Sequence, residues 1–337
     1  MSKYFVTAIG NAIIDVLALV KDDFLKEKKL EKGSMSLIDQ NNVLKLADLK
    51  YEKIVPGGSA ANTVVAVSAF GVKNAFIGNV GSGQYGDMFD EDLKKNGVDF
   101  YCKNKTEFGS TARSFVLITP DSERTMCTFL GKAAHISNEI HEDVITNSEF
   151  LYLEGYLWDQ AETIQALKKA IIMARNNNVK IAYTLSDSFC VQRHKQDMLK
   201  LVNKIDVLFA NEAEIKELTS SSEIKGDKIK QLAKNNNHLT IVITRHDKDA
   251  IVFDAKTNNF YKIPAQKVKN VVDVTGAGDA FAAGFLYGQY HQLSKEDSAK
   301  IGHLFASNII QKIGGRFDEE QISKITQILQ AESLNVG

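Results

Sequence analysis

From about residue 150 onward the chain alternates short apolar runs with longer amphipathic stretches, and this rhythm limits the possible folds more than any other feature. Residues 150–154, 180–185 and 207–210 read as buried strands, and 161–176 and 191–202 between them carry helical periodicity. Strands joined through crossover helices become parallel neighbours, so the expected fold class is α/β, with helices on both faces of a mostly parallel central sheet. Residues 4–9, 75–80 and 240–244 add runs of the same kind. Two segments break the rhythm. In 16–51, charged clusters such as 26–32 surround a strand-like piece at 34–38 and a helical stretch at 41–49. In 98–129, strand-like runs at 98–103, 111–119 and 124–129 are broken at Phe108-Gly109 and Pro120-Asp121.

Composition narrows the class of partner. Among 337 residues, 41 basic against 42 acidic side chains leave a net charge of -1, so no global field recruits nucleic acid or an anionic membrane. The expected partner is a small molecule. Cys102, Cys127 and Cys190 show no C-x-x-C spacing and leave one thiol over under any pairing, which suits a reducing compartment. The apolar start is too short for a signal peptide, Asp15 interrupts its continuation, and no run approaches membrane-spanning length. A cytoplasmic protein, monomer or homodimer, is expected.

The chemistry concentrates in Asp273-Val-Thr-Gly-Ala-Gly-Asp279, a turn of small residues that opens a helix. Gly276, Ala277 and Gly278 leave backbone N–H groups unscreened at the positive helix end, which suits a phosphate. Asp279 beside that site makes little sense for anion binding alone, because like charges repel. It makes sense for taking a proton from an attacking hydroxyl. Both glycines could instead simply shape a helix N-terminus, with Asp279 in its favourable first turn. Asn11 and Asp15 follow the first strand at its C-terminal end, where ligands sit in open α/β sheets, although a turn residue and an exposed charge are the plainer readings. Gly57-Gly58-Ser-Ala-Ala-Asn62 is a paired-glycine turn into a helix that allows close backbone approach to a ligand. Asn211-Glu-Ala-Glu214 reads equally well as a capping box. Gly81-Ser-Gly83-Gln-Tyr-Gly86, after a strand and with Asp99 downstream, matches a dinucleotide fingerprint and keeps an oxidoreductase open.

Taken together, Gly10-Asn-Ala-Ile-Ile-Asp15, Gly57-Gly-Ser-Ala-Ala-Asn62 and the Gly-Ala-Gly-Asp279 turn resemble the signatures of the PfkB, or ribokinase-like, family of carbohydrate and nucleoside kinases. The resemblance implies a three-layer ribokinase-like core over 1–15, 52–97 and 130–337, and a small β lid over 16–51 and 98–129. It makes Asp279 the general base and the amides of Gly276, Ala277 and Gly278 the anion hole. Asn11, Asp15, Gly57, Gly58 and Asn62 become substrate ligands, Met35 and Leu37 could face the substrate, and Gly78 to Gly86 shapes the sugar pocket rather than a dinucleotide site. Glu214 would order water around Mg²⁺, and ATP would be held near Asn211, Thr244, Arg245 and Asn308. Thr111, Arg113 and Arg124 could reach phosphate on lid closure. One element departs from the pattern: the family's T-x-G-x-x-G reads Thr244-Arg-His246-Asp-Lys-Asp249, with both glycines replaced. The flanking sequences are most similar to bacterial adenosine-kinase-like members, which implies transfer from ATP to a nucleoside 5′-hydroxyl. A ribose or fructose kinase, and a nucleoside-binding protein with weak or no kinase activity, are the alternatives.

Overall fold

The computed structural model describes residues 2–46, 49–102, 109–121, 123–136 and 140–331. The expected strand end at Lys103, the break at Phe108, and Ala47 and Asp48 of the 41–49 helical stretch lie outside them. Fourteen strands are formed among these residues: β1 (Tyr4–Ile9), β2 (Ile13–Leu19), β3 (Met35–Leu37), β4 (Lys53–Pro56), β5 (Asn74–Ile77), β6 (Val98–Tyr101), β7 (Ala112–Ile118), β8 (Arg124–Phe129), β9 (Ser148–Glu154), β10 (Lys180–Thr184), β11 (Val207–Asn211), β12 (Thr240–Arg245), β13 (Lys248–Asp254) and β14 (Asn259–Ile263). Nine of them build one sheet in the order β14-β13-β12-β11-β10-β9-β1-β5-β6. From β6 to β12 every pairing is parallel, and β13 and β14 close one edge antiparallel.

Strict alternation along these strands divides the core into two layers. Phe150 and Tyr152 of β9 pack on one face with Val6, Phe76 and Phe209, under the helices Ser59–Ser68, Ala277–Tyr290 and Lys295–Ile309. Leu151 and Leu153 point the other way, with Ile77, Ile181 and Ile241, toward the helices Ala161–Asn176, Ser188–Val202 and Glu212–Thr219. Strands apolar on both sides are what a parallel sheet covered by helices requires. Among the described residues no helix is long and apolar enough to cross a membrane.

The second sheet has the order β3-β8-β7-β2-β4. Its strands come from both segments that broke the alternating rhythm, but its borders differ from those expected. Val98–Tyr101, placed with the lid on sequence, pairs in parallel with β5 at the edge of the large sheet. The helix Gln84–Lys95 between them makes β5 to β6 an ordinary crossover unit, and that connection decides the sheet. Conversely, β2 begins at Ile13 and β4 spans Lys53–Pro56, so Asp15 stands on the small sheet, opposite Val55 and Ser114.

Candidate active site

The site is assembled at the C-terminal ends of the parallel strands. Parallel pairing of β1 with β9 aligns Ile9 with Leu153, so the turn after β1 and Glu154 at the end of β9 emerge side by side. The Glu154 carboxylate, 1% exposed, accepts the Asn11 N–H at 2.9 Å on one oxygen and the Ala60 N–H at 2.8 Å on the other. One buried acid therefore ties both N-terminal motif segments together. Burial pushes it up to about 7, against the pull of those two hydrogen bonds. Sequence reading passed over Glu154, although the strand-end rule that selected Asn11 would have found it.

Asp15 projects from β2 toward the same point. Burial pushes its carboxyl up to about 7; Arg316 and Arg124 oppose the rise and Asp279 adds to it. Gly57 is pressed against it so closely that a Cβ there would lie 2.1 Å from the Asp15 Oδ2. That contact, rather than backbone freedom, demands glycine. The Asn11 side-chain nitrogen and the Asn62 side-chain oxygen are buried and lack a hydrogen-bond partner within the protein. A donor and an acceptor are thus left for something not part of the chain.

Asp279 sits in the first turn of the 14-residue helix Ala277–Tyr290. Its N-cap, Gly276, adopts φ +73°, a left-handed conformation that glycine takes without Cβ strain. The carboxylate accepts the Ser59 hydroxyl at 2.6 Å and the Asn62 amide at 2.9 Å. Burial raises its pKa above the ordinary carboxylate value, and those two bonds together with Arg316 restrain the rise. The paired-glycine motif therefore meets the Gly-Ala-Gly-Asp turn directly, through Ser59 and Asn62. Of the three expected anion-hole amides, Ala277 donates to the Val274 carbonyl at 3.2 Å, while no such backbone bond engages Gly276 or Gly278 among the described residues. The Cβ position of Gly278 faces open space.

A cavity of about 390 Å³ joins these groups, lined by Asn11, Asp15, Gly58, Asn62, Glu154 and the 274–279 turn, with Met35, Leu37, Arg124 and Met126 contributed by the small sheet. Arg124 ion-pairs with Asp273, the first residue of the turn, and both groups are largely buried. Asp273 also accepts the Thr275 N–H at 2.7 Å and the Gly314 N–H at 2.8 Å. The other two lid candidates lie elsewhere. Thr111 bonds the Gly81 backbone N–H, and the Arg113 guanidinium stacks on Tyr85 and Phe129.

The nucleotide-side candidates divide. Thr244 and Asn211 line the cavity, but Arg245 and Asn308 are not among its walls. The Arg245 Nε donates to the Asp249 carbonyl across the β12–β13 hairpin, and the Asn308 amide donates to the Leu304 carbonyl one helical turn back. Each side chain spends a donor on local backbone. His246 occupies its replaced-glycine position at φ +53°, so the hairpin keeps a left-handed backbone there without glycine. Asn211 and Glu214 form a complete capping box, with Glu214 buried and pushed up to about 8 chiefly by that burial. No cluster of three or more His, Cys, Asp or Glu side chains suited to a metal occurs among the described residues. In the decoy motif, a Cβ on Gly81 would lie 1.9 Å from the Gly109 carbonyl oxygen, and one on Gly86 2.0 Å from that of Gly81. These glycines let backbone pack on backbone, which leaves the dinucleotide reading without a structural basis.

Comparison with known proteins agrees with this geometry. The profile of the pfkB family carbohydrate kinases matches residues 38–322. The chain belongs to that family. PfkB kinases are phosphotransferases with an alcohol acceptor, and this chain is one of them. It is similar to adenosine kinase 1 of Arabidopsis thaliana, 25% identical over 93% of this chain and 95% of the relative. It is also similar to 5-dehydro-2-deoxygluconokinase of Geobacillus thermodenitrificans, 27% identical over 81% of this chain and 84% of the relative. Among solved structures, adenosine kinase from Sinorhizobium meliloti superposes with a TM-score of 0.90 at 33% identity, covering 97% of this chain and 100% of that one. A probable sugar kinase from Rhizobium etli does so with a TM-score of 0.90 at 32% identity, covering 99% and 100%. The large mostly parallel sheet with a smaller second sheet is the architecture of these PfkB kinases.

Proposed function

We propose that this PfkB kinase transfers the γ-phosphoryl group of ATP to the 5′-hydroxyl of a nucleoside, adenosine first. One observation carries the reading: the Asp279 carboxylate, fixed by Ser59 and Asn62 beside the opening amides of a long helix, faces the cavity that also holds Asn11 and Asp15. Asp15 and the unpartnered polar atoms of Asn11 and Asn62 suit vicinal sugar hydroxyls, which donate and accept at once. A ribose held there would present its primary hydroxyl to Asp279. Asp279 takes the hydroxyl proton as the oxygen attacks phosphorus, and the free amides of Gly276 and Gly278 stabilise the charge on the transferring group. Positioning of the two reactants supplies the rest of the acceleration.

Met35, Leu37 and Met126 give the cavity an apolar wall from the small sheet, which suits a purine better than bulk water. The small sheet is accordingly assigned the role of lid. For Mg²⁺, the donor set fits a water-bridged ion held mainly by ATP phosphates, because the Glu214 oxygens already accept from Asn211 and keep only their remaining lone pairs. Such an ion would spread the phosphate charge. An odd count of three cysteines without C-x-x-C spacing supports a cytoplasmic setting.

A second reading, a kinase of a free sugar, is supported by the similarity to the 5-dehydro-2-deoxygluconokinase and shares every catalytic group. Coupled assay of ATP turnover with adenosine, other nucleosides, ribose and fructose separates the two. Highest kcat/KM with adenosine is expected; preferred turnover of ribose or fructose would defeat the nucleoside assignment, and no turnover with any acceptor would favour a binding protein.

A further inference from the structure

Arg316 stands outside every motif discussed so far, yet it is built into the back of the site. It follows Gly314 and Gly315, and Gly315 is wedged between the two signatures. A Cβ on Gly315 would lie 2.9 Å from the Asn62 side-chain nitrogen, and a Cβ on Gly276 would lie 2.9 Å from the Gly315 Cα. The Arg316 side chain that follows is 15% exposed and donates one hydrogen bond, from Nη1 to the Ala61 carbonyl at 2.8 Å. Its Nη2 lies 3.3 Å from Asp92 Oδ2 on the helix Gln84–Lys95, without hydrogen-bond alignment, and its Nε and Nη2 have no hydrogen-bond partner. A buried arginine with two of its donor atoms unspent is costly for stability alone. The preceding Gly315 packs on Asn62, whose amide holds Asp279; burial lowers the Arg316 pKa, and the charges of Asp92, Asp15 and Asp279 oppose that fall.

We propose that Arg316 is a positioning residue for phosphoryl transfer: a resident cation behind Asn62 that holds the Asp15 and Asp279 carboxylates in their charged, proton-accepting state. The need for such a cation follows from crowding. Asp279 shares the cavity with Asp15 on β2, Glu154 at the end of β9, Tyr156 just beyond it and Glu214 on the helix Glu212–Thr219, and its charge raises the pKa of each of these groups and of the buried Tyr152 on β9. Arg124, on β8, acts on Asp15 and is itself engaged by Asp273. Among the described residues, Arg316 is the cation that acts on Asp15 and Asp279 together. Guanidinium stays protonated throughout the working range, so its effect does not switch with pH.

This inference rests on the kinase reading, and the experiment keeps the two apart. The pH dependence of kcat/KM for ATP-driven phosphorylation is measured for the unmodified chain, Arg316→Gln, Arg316→Lys and Asp279→Asn, with thermal midpoints recorded for each. Gln keeps a donor for the Ala61 carbonyl but loses the charge; Lys keeps the charge. The acid limb is expected to move upward by about one pH unit in Arg316→Gln, about tenfold lower kcat/KM below the limb, and to stay near its original position in Arg316→Lys. If Arg316→Gln does not fold, Asp92→Asn with Arg316→Gln leaves no orphaned carboxylate and takes the same test. An acid limb unmoved by loss of the charge, or moved equally by Lys and Gln, overturns the proposal while an inactive Asp279→Asn leaves the kinase reading standing. An unmodified chain that transfers no phosphoryl group overturns both.

Discussion

Replacing Glu154 by Gln separates the role of its charge from the role of its shape. Its two oxygens hold Asn11 and Ala60 at 2.9 and 2.8 Å, and its carboxyl is pushed from the ordinary 4.5 to about 7. A rise of that size corresponds to about 3 kcal/mol. The sign follows from linkage: the folded state binds the proton more tightly, so the penalty is absent below the unfolded pKa, grows between 4.5 and about 7, and is complete above it. Wild-type stability therefore carries a loss of roughly 1 kcal/mol at about pH 5 and about 3 kcal/mol at about pH 8 from this one group. Glu154→Gln cannot ionise and lacks that loss. Urea unfolding at both pH values should show the variant gaining about 2 kcal/mol on the wild type between them, whatever constant offset the amide introduces. Function should move the other way. One of the two backbone donors would face an NH₂ group, a lost bond of about 1.4 kcal/mol, and kcat/KM should fall about tenfold. A stability difference that is flat with pH, or that shrinks toward pH 8, would refute the assignment of a buried ionised clamp.

Gly57→Ala would put a methyl carbon 2.1 Å from the Asp15 carboxylate oxygen, so a KM for the acceptor raised more than about tenfold with kcat less affected is expected from steady-state kinetics. Gly276→Ala combines φ +73° with a Cβ 2.9 Å from the Gly315 Cα, and should cost about 2 kcal/mol in chemical denaturation while lowering kcat. Arg124→Met leaves the Asp273 carboxylate buried without its cation, and a loss of about 3 kcal/mol in stability is expected; wild-type stability would show that the ion pair between the small sheet and the 273–279 turn is not formed in solution.

What could be read from the sequence follows from which forces act locally. The strand rhythm of β9, β10 and β11 was legible because both faces are apolar, and the Gly-Ala-Gly-Asp turn because small residues before a helix have few other uses. The two-sheet division was legible only in outline. Val98–Tyr101 carries no local mark of its sheet, which the preceding crossover helix decides. The antiparallel strands β13 and β14 were not read: β14 is an edge strand with one fully buried residue, and the apolar run 250–253 of β13 is short and bounded by Lys248-Asp249 and Asp254. Glu154 was marked only by its place at the end of β9, whereas Ser59 and Arg316 were invisible as site residues because each acts on a group brought near by tertiary pairing. Arg245 and Asn308 show the converse, polar side chains near a recognisable motif that each give a hydrogen bond to nearby backbone and do not line the cavity.

Single-turnover phosphorylation of adenosine by Asp279→Asn, alongside equilibrium binding of adenosine to the same variant, tests the base assignment most directly. Asn keeps the size of the side chain and can still meet Ser59 and Asn62, so binding should stay within about tenfold of wild type while the rate of transfer drops by about 10²-fold or more. A variant that still transfers the phosphoryl group at a rate within a few-fold of wild type would contradict the account.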